Sequence, residues 1–444
     1  MPEEQQTPDA APPKAGVRSR RCPSRPTRRL GVIIAALLVL QLGNPVHLMA
    51  LDILRTNANF YPEILQILRE SPLIDGHNDL PWQYRKRFND DISKLDLRAD
   101  TSKLSPPMVT DIARLRAGGM GAQFWSVYIP VTLNGSLAIR AVLEQIDVVH
   151  QFVRRYPDVF ELANSADDLE RIHRSGRIAS LIGMEGGHSI DNSLAMLRMT
   201  YALGARYMTL THMKNTAWAD SANDTPQHHG LTPFGEEVVR EMNQLGMLVD
   251  LSHVSEETMK AALQASQAPI IFSHSSTRAL CNDPRNVPDD ILKMVPANGG
   301  VVMITFFPQY LTERARAHWV LKKQERTRLE QEHPDQPDLV KQELEAWDQA
   351  NPLPHAATIS DVADHIDHVR KICGLDHVGL GGDFEGFDGP PDGLEDVSCY
   401  PALLTELTKR GYNREEIKQV AGSNLVRVLR QAEKVAAKLR TARK

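Results

Sequence analysis

Eight short apolar runs, rich in β-branched residues, recur along the chain between longer amphipathic stretches. They are Leu73–His77, Ala122–Ile129, Ile178–Met184, Tyr207–His212, Met247–His253, Ile270–His274, Gly300–Thr305 and His377–Asp383. Between them, segments such as Leu137–Tyr156, Ser193–Leu203 and Phe234–Leu245 space their apolar residues at helical intervals, several with a glycine close behind. Strands alternating with helices in this number predict a (β/α)8 barrel of the metal-dependent hydrolase type, although a doubly wound open sheet has the same local pattern. The polar residues separate the two. His77, Glu185, His212, His253, His274 and Asp383 each fall at or just after the carboxyl end of a run. A barrel brings those ends together on one face, whereas an open sheet strings them along a line.

With 444 residues, 42% of them hydrophobic, the chain is long enough for one large catalytic domain. A formal charge of -5 supplies no basic field, so nucleic acid is not an expected partner and a small molecule is. Cys22, Cys281, Cys373 and Cys399 are scattered, with no CxxC pair, so a metal site here has to be built from His and carboxylate.

The chain divides into a basic, Pro- and Ser-rich tail (1–29), a hydrophobic segment (30–50), the catalytic barrel (51–435) and a basic tail (436–444). Arg25, Arg28 and Arg29 stand before the apolar run Leu30–Leu42, the order of a signal peptide or membrane anchor. The run is short for a spanning helix, yet Leu48-Met49-Ala50 makes a poor cleavage site. Either way the barrel is expected outside the cytoplasm, exported or attached through its amino terminus. Within the barrel, the charged stretch 312–355 reads as an inserted helical hairpin split at His333-Pro334. A solvated surface excursion is its plainer reading; a lid or a dimer contact is the alternative.

The candidate site begins with His77-Asn78-Asp79, where alternation on an extended segment puts an imidazole and a carboxylate on one side. Glu185 follows an apolar strand whose burial makes an unpaired carboxylate costly, and a cation neutralises it. Leu251-Ser-His253 and Phe272-Ser-His274 repeat one placement of an imidazole on two adjacent strands. Each residue alone has an ordinary structural explanation: a turn or a satisfied structural histidine. Together, His77, Asp79, Glu185, His253 and His274 are one ligand more than a single tetrahedral zinc requires, so two zinc ions sharing Glu185 are inferred. Hydrolysis is the natural chemistry of such a pair. His212 is placed to meet an oxyanion, Asp383 to move a proton or meet an ammonium group, and Arg285 to clasp a carboxylate unless it is simply a surface arginine.

These motifs resemble those of the membrane (renal, microsomal) dipeptidases. The resemblance runs from Leu73-Ile-Asp-Gly-His-Asn-Asp-Leu-Pro-Trp through Gly121-Ala-Gln-Phe-Trp, Glu185-Gly-Gly-His-Ser and Asp250-Leu-Ser-His-Val-Ser to Arg285-Asn-Val-Pro-Asp-Asp, Gly381-Gly-Asp-Phe and Gly393-Leu-Glu-Asp-Val-Ser. It implies a two-zinc dipeptidase with Glu185 bridging His77/Asp79 and His253/His274. His212 then contacts the substrate and its oxyanion, Arg285 holds the substrate carboxylate, Asp383 lies by the amine, and the enzyme is a homodimer. It also implies tolerance of a carboxyl-terminal D-residue and, as in some members, opening of β-lactam rings. Three features depart from the family. Lys214 stands where animal relatives have a Cys, and the expected partner of Cys281 is missing where the insertion begins, so the family disulfides are not expected; nor does the charged end Lys438-Leu-Arg-Thr-Ala-Arg-Lys suit a lipid-anchor signal.

Two other functions compete. A two-metal barrel amidohydrolase acting on N-acyl amino acids or cyclic amides usually opens with HxH and bridges through a carboxylated lysine, where this chain has HxD and Glu185. A non-catalytic binding protein on the same scaffold is expected to have lost a ligand, and all five are present.

Overall fold

Nine strands carry the sheet: β1 (Leu73–Asn78), β2 (Met120–Tyr128), β3 (Phe160–Leu162), β4 (Ile178–Glu185), β5 (Ala205–Thr209), β6 (Leu248–Asp250), β7 (Ile271–Phe272), β8 (Val301–Ile304) and β9 (Val378–Leu380). The structure, a computed structural model, describes residues 61–442. Every strand pairing is parallel, in the order β2-β1-β9-β8-β7-β6-β5-β4-β3, and a further β2–β4 ladder closes the ring. Eight strands thus form a closed (β/α)8 barrel. The ninth, β3, hangs outside it: it pairs with Ile178–Ser180 at the start of β4, and β5 takes over along Ile182–Met184.

Both faces of these strands are buried, one against the ring of helices and one inside the barrel, which is why they read as unbroken apolar runs. Ala179 and Leu181, which share the parity of Glu185 on β4, pack with Tyr207, Ile271 and Met303, and with Leu169 and Leu425 from the helices Ala166–Arg174 and Asn424–Ala442. The barrel interior is therefore filled below the carboxyl ends of the strands and polar only at those ends.

The helices Gly135–Arg155, Leu194–Ala202 and Pro233–Leu245 lie where helical spacing predicts them. The last shows why: Thr232 caps its first turn, Pro233 suits its first position, and Gly246 ends it at φ 86°. Between β8 and β9 stand two antiparallel helices, Glu313–Glu332 and Pro337–Ala350, with a small core of their own made by Leu329, Val340 and Leu344. At their base the Thr312 hydroxyl donates to the Ala356 carbonyl at 2.8 Å. Cys281, Cys373 and Cys399 are free; Cys22 and the expected amino-terminal tail and apolar segment lie outside the described residues. Among the described residues no helix is long and apolar enough to cross a membrane.

Candidate active site

All eight residues singled out in the sequence meet at the carboxyl end of the barrel, most of them in the loops just past the strands. His77 is the last residue but one of β1 and Glu185 the last of β4, whereas His212, His253, His274 and Asp383 stand two or three residues beyond the ends of β5, β6, β7 and β9. Asp79 reaches the same point by another route than strand alternation. Its backbone has left the extended region (φ -90°, ψ 23°) and starts the helix Leu80–Phe88.

Glu185 is the centre of the cluster. Its Oε2 lies 3.5 Å from His77 Nε2, which is itself 3.4 Å from Asp79 Oδ2. Its Oε1 faces the other way, 3.0 Å from His253 Nε2, 3.6 Å from His274 Nε2 and 3.5 Å from His212 Nε2. Asp383 Oδ1 is 3.9 Å from His77 Nε2. Two groups able to hold a cation result, His77/Asp79/Glu185 and Glu185/His253/His274, with His77/His274/Asp383 as a third.

The donors are oriented as metal ligands require. The Tyr207 hydroxyl donates to the Gly76 carbonyl at 3.1 Å and lies 2.8 Å from His77 Nδ1, so that nitrogen donates and Nε2 is the one turned to the carboxylates. Ser273 repeats the arrangement: its hydroxyl donates to Asp250 at 2.5 Å and receives His274 Nδ1–H at 2.7 Å. Buried His77 Nε2 and Asp79 Oδ1 have no protein partner, and the Nε2 atoms of His253 and His274 stand 2.9 Å apart. Buried polar atoms left in this state are costly unless something polar joins them, and a cation between them satisfies every one.

The electrostatics agree. Burial, with Arg285 and the neighbouring histidines, holds His253 and His274 well below the usual imidazole range, so both are neutral. Burial opposes charge on Glu185, but His77, with the hydrogen bond from His253, outweighs it and keeps the carboxyl ionised. Burial also opposes charge on His77, yet Tyr207, Glu185 and Asp79 raise it well above normal, so the cluster favours positive charge at that point. Burial, beside Asp79 and Glu185, pushes the Asp383 carboxyl well up. His253 (φ 70°) and Asp383 (φ 61°) hold left-handed backbone, a conformation non-glycine residues keep only where the surroundings enforce it.

Above this cluster opens a chamber of about 720 Å³. Arg285 lines it and is buried, not a surface arginine: Nη1 donates to Ser275 Oγ and Nη2 to the His274 carbonyl, each at 3.1 Å, with the Tyr310 ring 5.2 Å away. Trp82 meets Tyr128 edge-on at 4.8 Å, and Tyr128 stands 5.0 Å from the His212 ring. The hairpin helices line the chamber as well, through Trp319, Lys322 and Asp348 among others. They are therefore part of its wall, while the rest of their surface is largely solvated, as the plainer reading of 312–355 has it.

The membrane dipeptidase (peptidase family M19) model matches residues 62–443, nearly the whole of the described chain. The chain belongs to this family. It is 42% identical to Dipeptidase 3 of Rattus norvegicus over 381 residues, which cover 85% of this chain and 68% of that protein. Dipeptidase 3 of Homo sapiens is 41% identical over 374 residues, 83% of this chain and 67% of the other. The fold is that of the probable dipeptidase PvdM from Pseudomonas aeruginosa (TM-score 0.73, 23% identity, 85% of this chain and 100% of that one). It is also that of a metallopeptidase from Rhodobacter sphaeroides liganded with a phosphinate mimic of the dipeptide L-Ala-D-Ala (TM-score 0.66, 22% identity, 82% and 99%). This membrane dipeptidase homologue is thus a hydrolase of the dipeptidase class, and a metallopeptidase.

Several site residues of this dipeptidase are not evident from the strand-end pattern. Tyr207 and the Asp250–Ser273 pair brace the imidazoles from below; their only signal is a polar group inside an otherwise apolar run. Trp82, Tyr128 and Tyr310 read as ordinary core aromatics. At Lys214, where a Cys is expected in animal relatives, the loop is tied by Asp224 instead, which lies 3.4 Å from the Lys214 ammonium and accepts the Asn215 N–H. Cys281 is buried, its thiol pushed up to about 12 by that burial.

Proposed function

We propose that this dipeptidase uses two zinc ions bridged by Glu185 to hydrolyse the amide bond of dipeptides, including those with a carboxyl-terminal D-residue. The observation that carries the reading is the split of Glu185, with one oxygen toward His77 and Asp79 and the other toward His253 and His274. His77, Asp79 and Glu185 would hold one ion, and Glu185, His253 and His274 the other. When bound, the ions supply a water acidified toward neutrality and a polarised scissile carbonyl.

The chain's own groups do the rest. His212 is depressed by burial, so it is a neutral imidazole, and it faces the chamber where an oxyanion forms. Arg285, already fixed by two hydrogen bonds, meets the substrate carboxylate. Asp383, at the Asp79 side of the cluster, meets the substrate amine and passes the proton to the leaving nitrogen. With a cation at one end and carboxylates at the other, the chamber recognises both termini of a substrate, which restricts it to two residues. The dipeptide mimic bound by the Rhodobacter relative supports a D-residue on the leaving side. The basic tail and apolar segment ahead of the barrel support a location outside the cytoplasm, and membership of the family supports a homodimer.

The test is release of amino acids from Gly-D-Ala and from an L,L-dipeptide before chelation, after it, and after zinc return, beside Glu185→Ala. Activity lost on chelation, restored by zinc and absent in the variant is the expected result. Bound zinc with neither dipeptide cut transfers the site to an amidohydrolase substrate.

A further inference from the structure

The outer half of the chamber has no part in that chemistry, yet it is built as carefully as the floor. Phe307, three residues past β8, and Phe387, just past Asp383, stack with centroids 4.8 Å apart and planes 7° from parallel. Trp319, on the first hairpin helix, meets Phe307 edge-on at 5.6 Å. All three line the chamber, and Trp319 keeps 41% of its surface exposed, an apolar face that a ligand can cover.

The position of this wall along the substrate follows from Gly386. A Cβ there would stand 2.5 Å from Asp79 Oδ2 and 2.7 Å from Asp383 Oδ1, so the backbone at 386 lies against both carboxylates at the amine end of the site. Phe387 is the next residue in the chain. The wall therefore flanks the amino-terminal residue of a dipeptide, whereas Arg285 marks the opposite end. It is also preformed. The two hairpin helices are tied by Lys322 to Asp348 at 2.7 Å, and His318 Nε2 lies 2.8 Å from the Asn351 carbonyl, which holds the helix that carries Trp319.

We infer that Trp319, Phe307 and Phe387 form a subsite for the side chain of the dipeptide's amino-terminal residue and that it selects large apolar or aromatic side chains there. The inference rests on the dipeptidase reading proposed above. It makes the inserted hairpin a specificity element: its contribution is the third aromatic face, without which the stacked phenylalanines are open to solvent.

The experiment compares kcat/KM for Phe-Gly, Gly-Phe and Gly-Gly with the zinc-loaded full chain and with Trp319→Ala, Trp319→Phe and Phe387→Ala. The wild type should prefer Phe-Gly to Gly-Gly by about 10-fold or more, within the range that an apolar pocket supplies. Trp319→Ala and Phe387→Ala should each cut that ratio about 10-fold. Trp319→Phe should recover much of the loss, Gly-Phe should follow Gly-Gly, and zinc content should stay the same. An unchanged Phe-Gly to Gly-Gly ratio in both alanine variants overturns the subsite while leaving the reaction intact, as does a loss confined to Gly-Phe. A zinc-loaded wild type that cuts none of the three removes the dipeptidase reading itself, and the subsite with it.

Discussion

On the strand side of the chamber, His77 and His274 each spend one ring nitrogen on a buried hydroxyl, and each hydroxyl is tied onward to Gly76 or Asp250. On the hairpin side, three apolar residues and surface ion pairs such as Lys322 with Asp348 hold the structure together. The first arrangement cannot shift without leaving buried polar atoms unpaired, which is expensive; the second can give slightly at little cost. Bond cleavage and the choice of substrate are thus entrusted to parts of different stiffness.

The sharpest test of that division is His212→Ala. It should lower kcat by about 10²–10³-fold, the usual loss for one oxyanion donor, with zinc content unchanged by metal analysis. Loss of zinc in this variant would make His212 part of the metal-holding floor. Tyr207→Phe comes next. It removes only the hydroxyl beneath His77, and should weaken zinc affinity about 10–100-fold in a competition titration while the packing of the ring is kept. An unchanged affinity would mean that the floor does not depend on its braces.

The smallest effect belongs to the joint between the two regions. His365 is buried, receives the Thr277 N–H on Nδ1 at 3.0 Å, and lies 3.0 Å through Nε2 from the carbonyl of Leu311 at the foot of the hairpin. Burial lowers it to about 4. The unfolded imidazole takes up a proton near pH 6.5 while the folded one does not, so its contribution is whole above that pH and falls away between about 6.5 and 4. Between pH 7.5 and 5.5 the wild type should lose about 1 kcal/mol more stability than His365→Asn in urea titrations. Equal losses would remove this residue from the acid sensitivity of the joint.

How far the sequence foretells this molecule follows the same division. The barrel and its floor are legible because a buried parallel strand leaves an unbroken apolar run and a ligand at its end is a lone exception to it. His253 and His274 even repeat one another. Tyr207, Asp250 and Ser273 are harder to see, since their role depends on which neighbour a hydroxyl faces, and that is settled only when the strands pair. Asp79 arrives at the predicted place through a helix start, where the expected alternation would have carried it on along a strand. β3 escapes notice because Phe-Glu-Leu is too short to show a period. The hairpin is visible as two helices, yet its charged outer surface hides that one side of it faces the site.

The bond from Thr312 to Ala356 has a further consequence. Because the two feet of the hairpin meet, everything between them is a closed excursion that leaves β8 and β9 where they are, and the entropy of closing such a loop grows only slowly with its length. Descent with insertion or deletion can therefore rewrite this segment freely, and exchanging it between homologues is a route to new substrate preferences on an unaltered barrel.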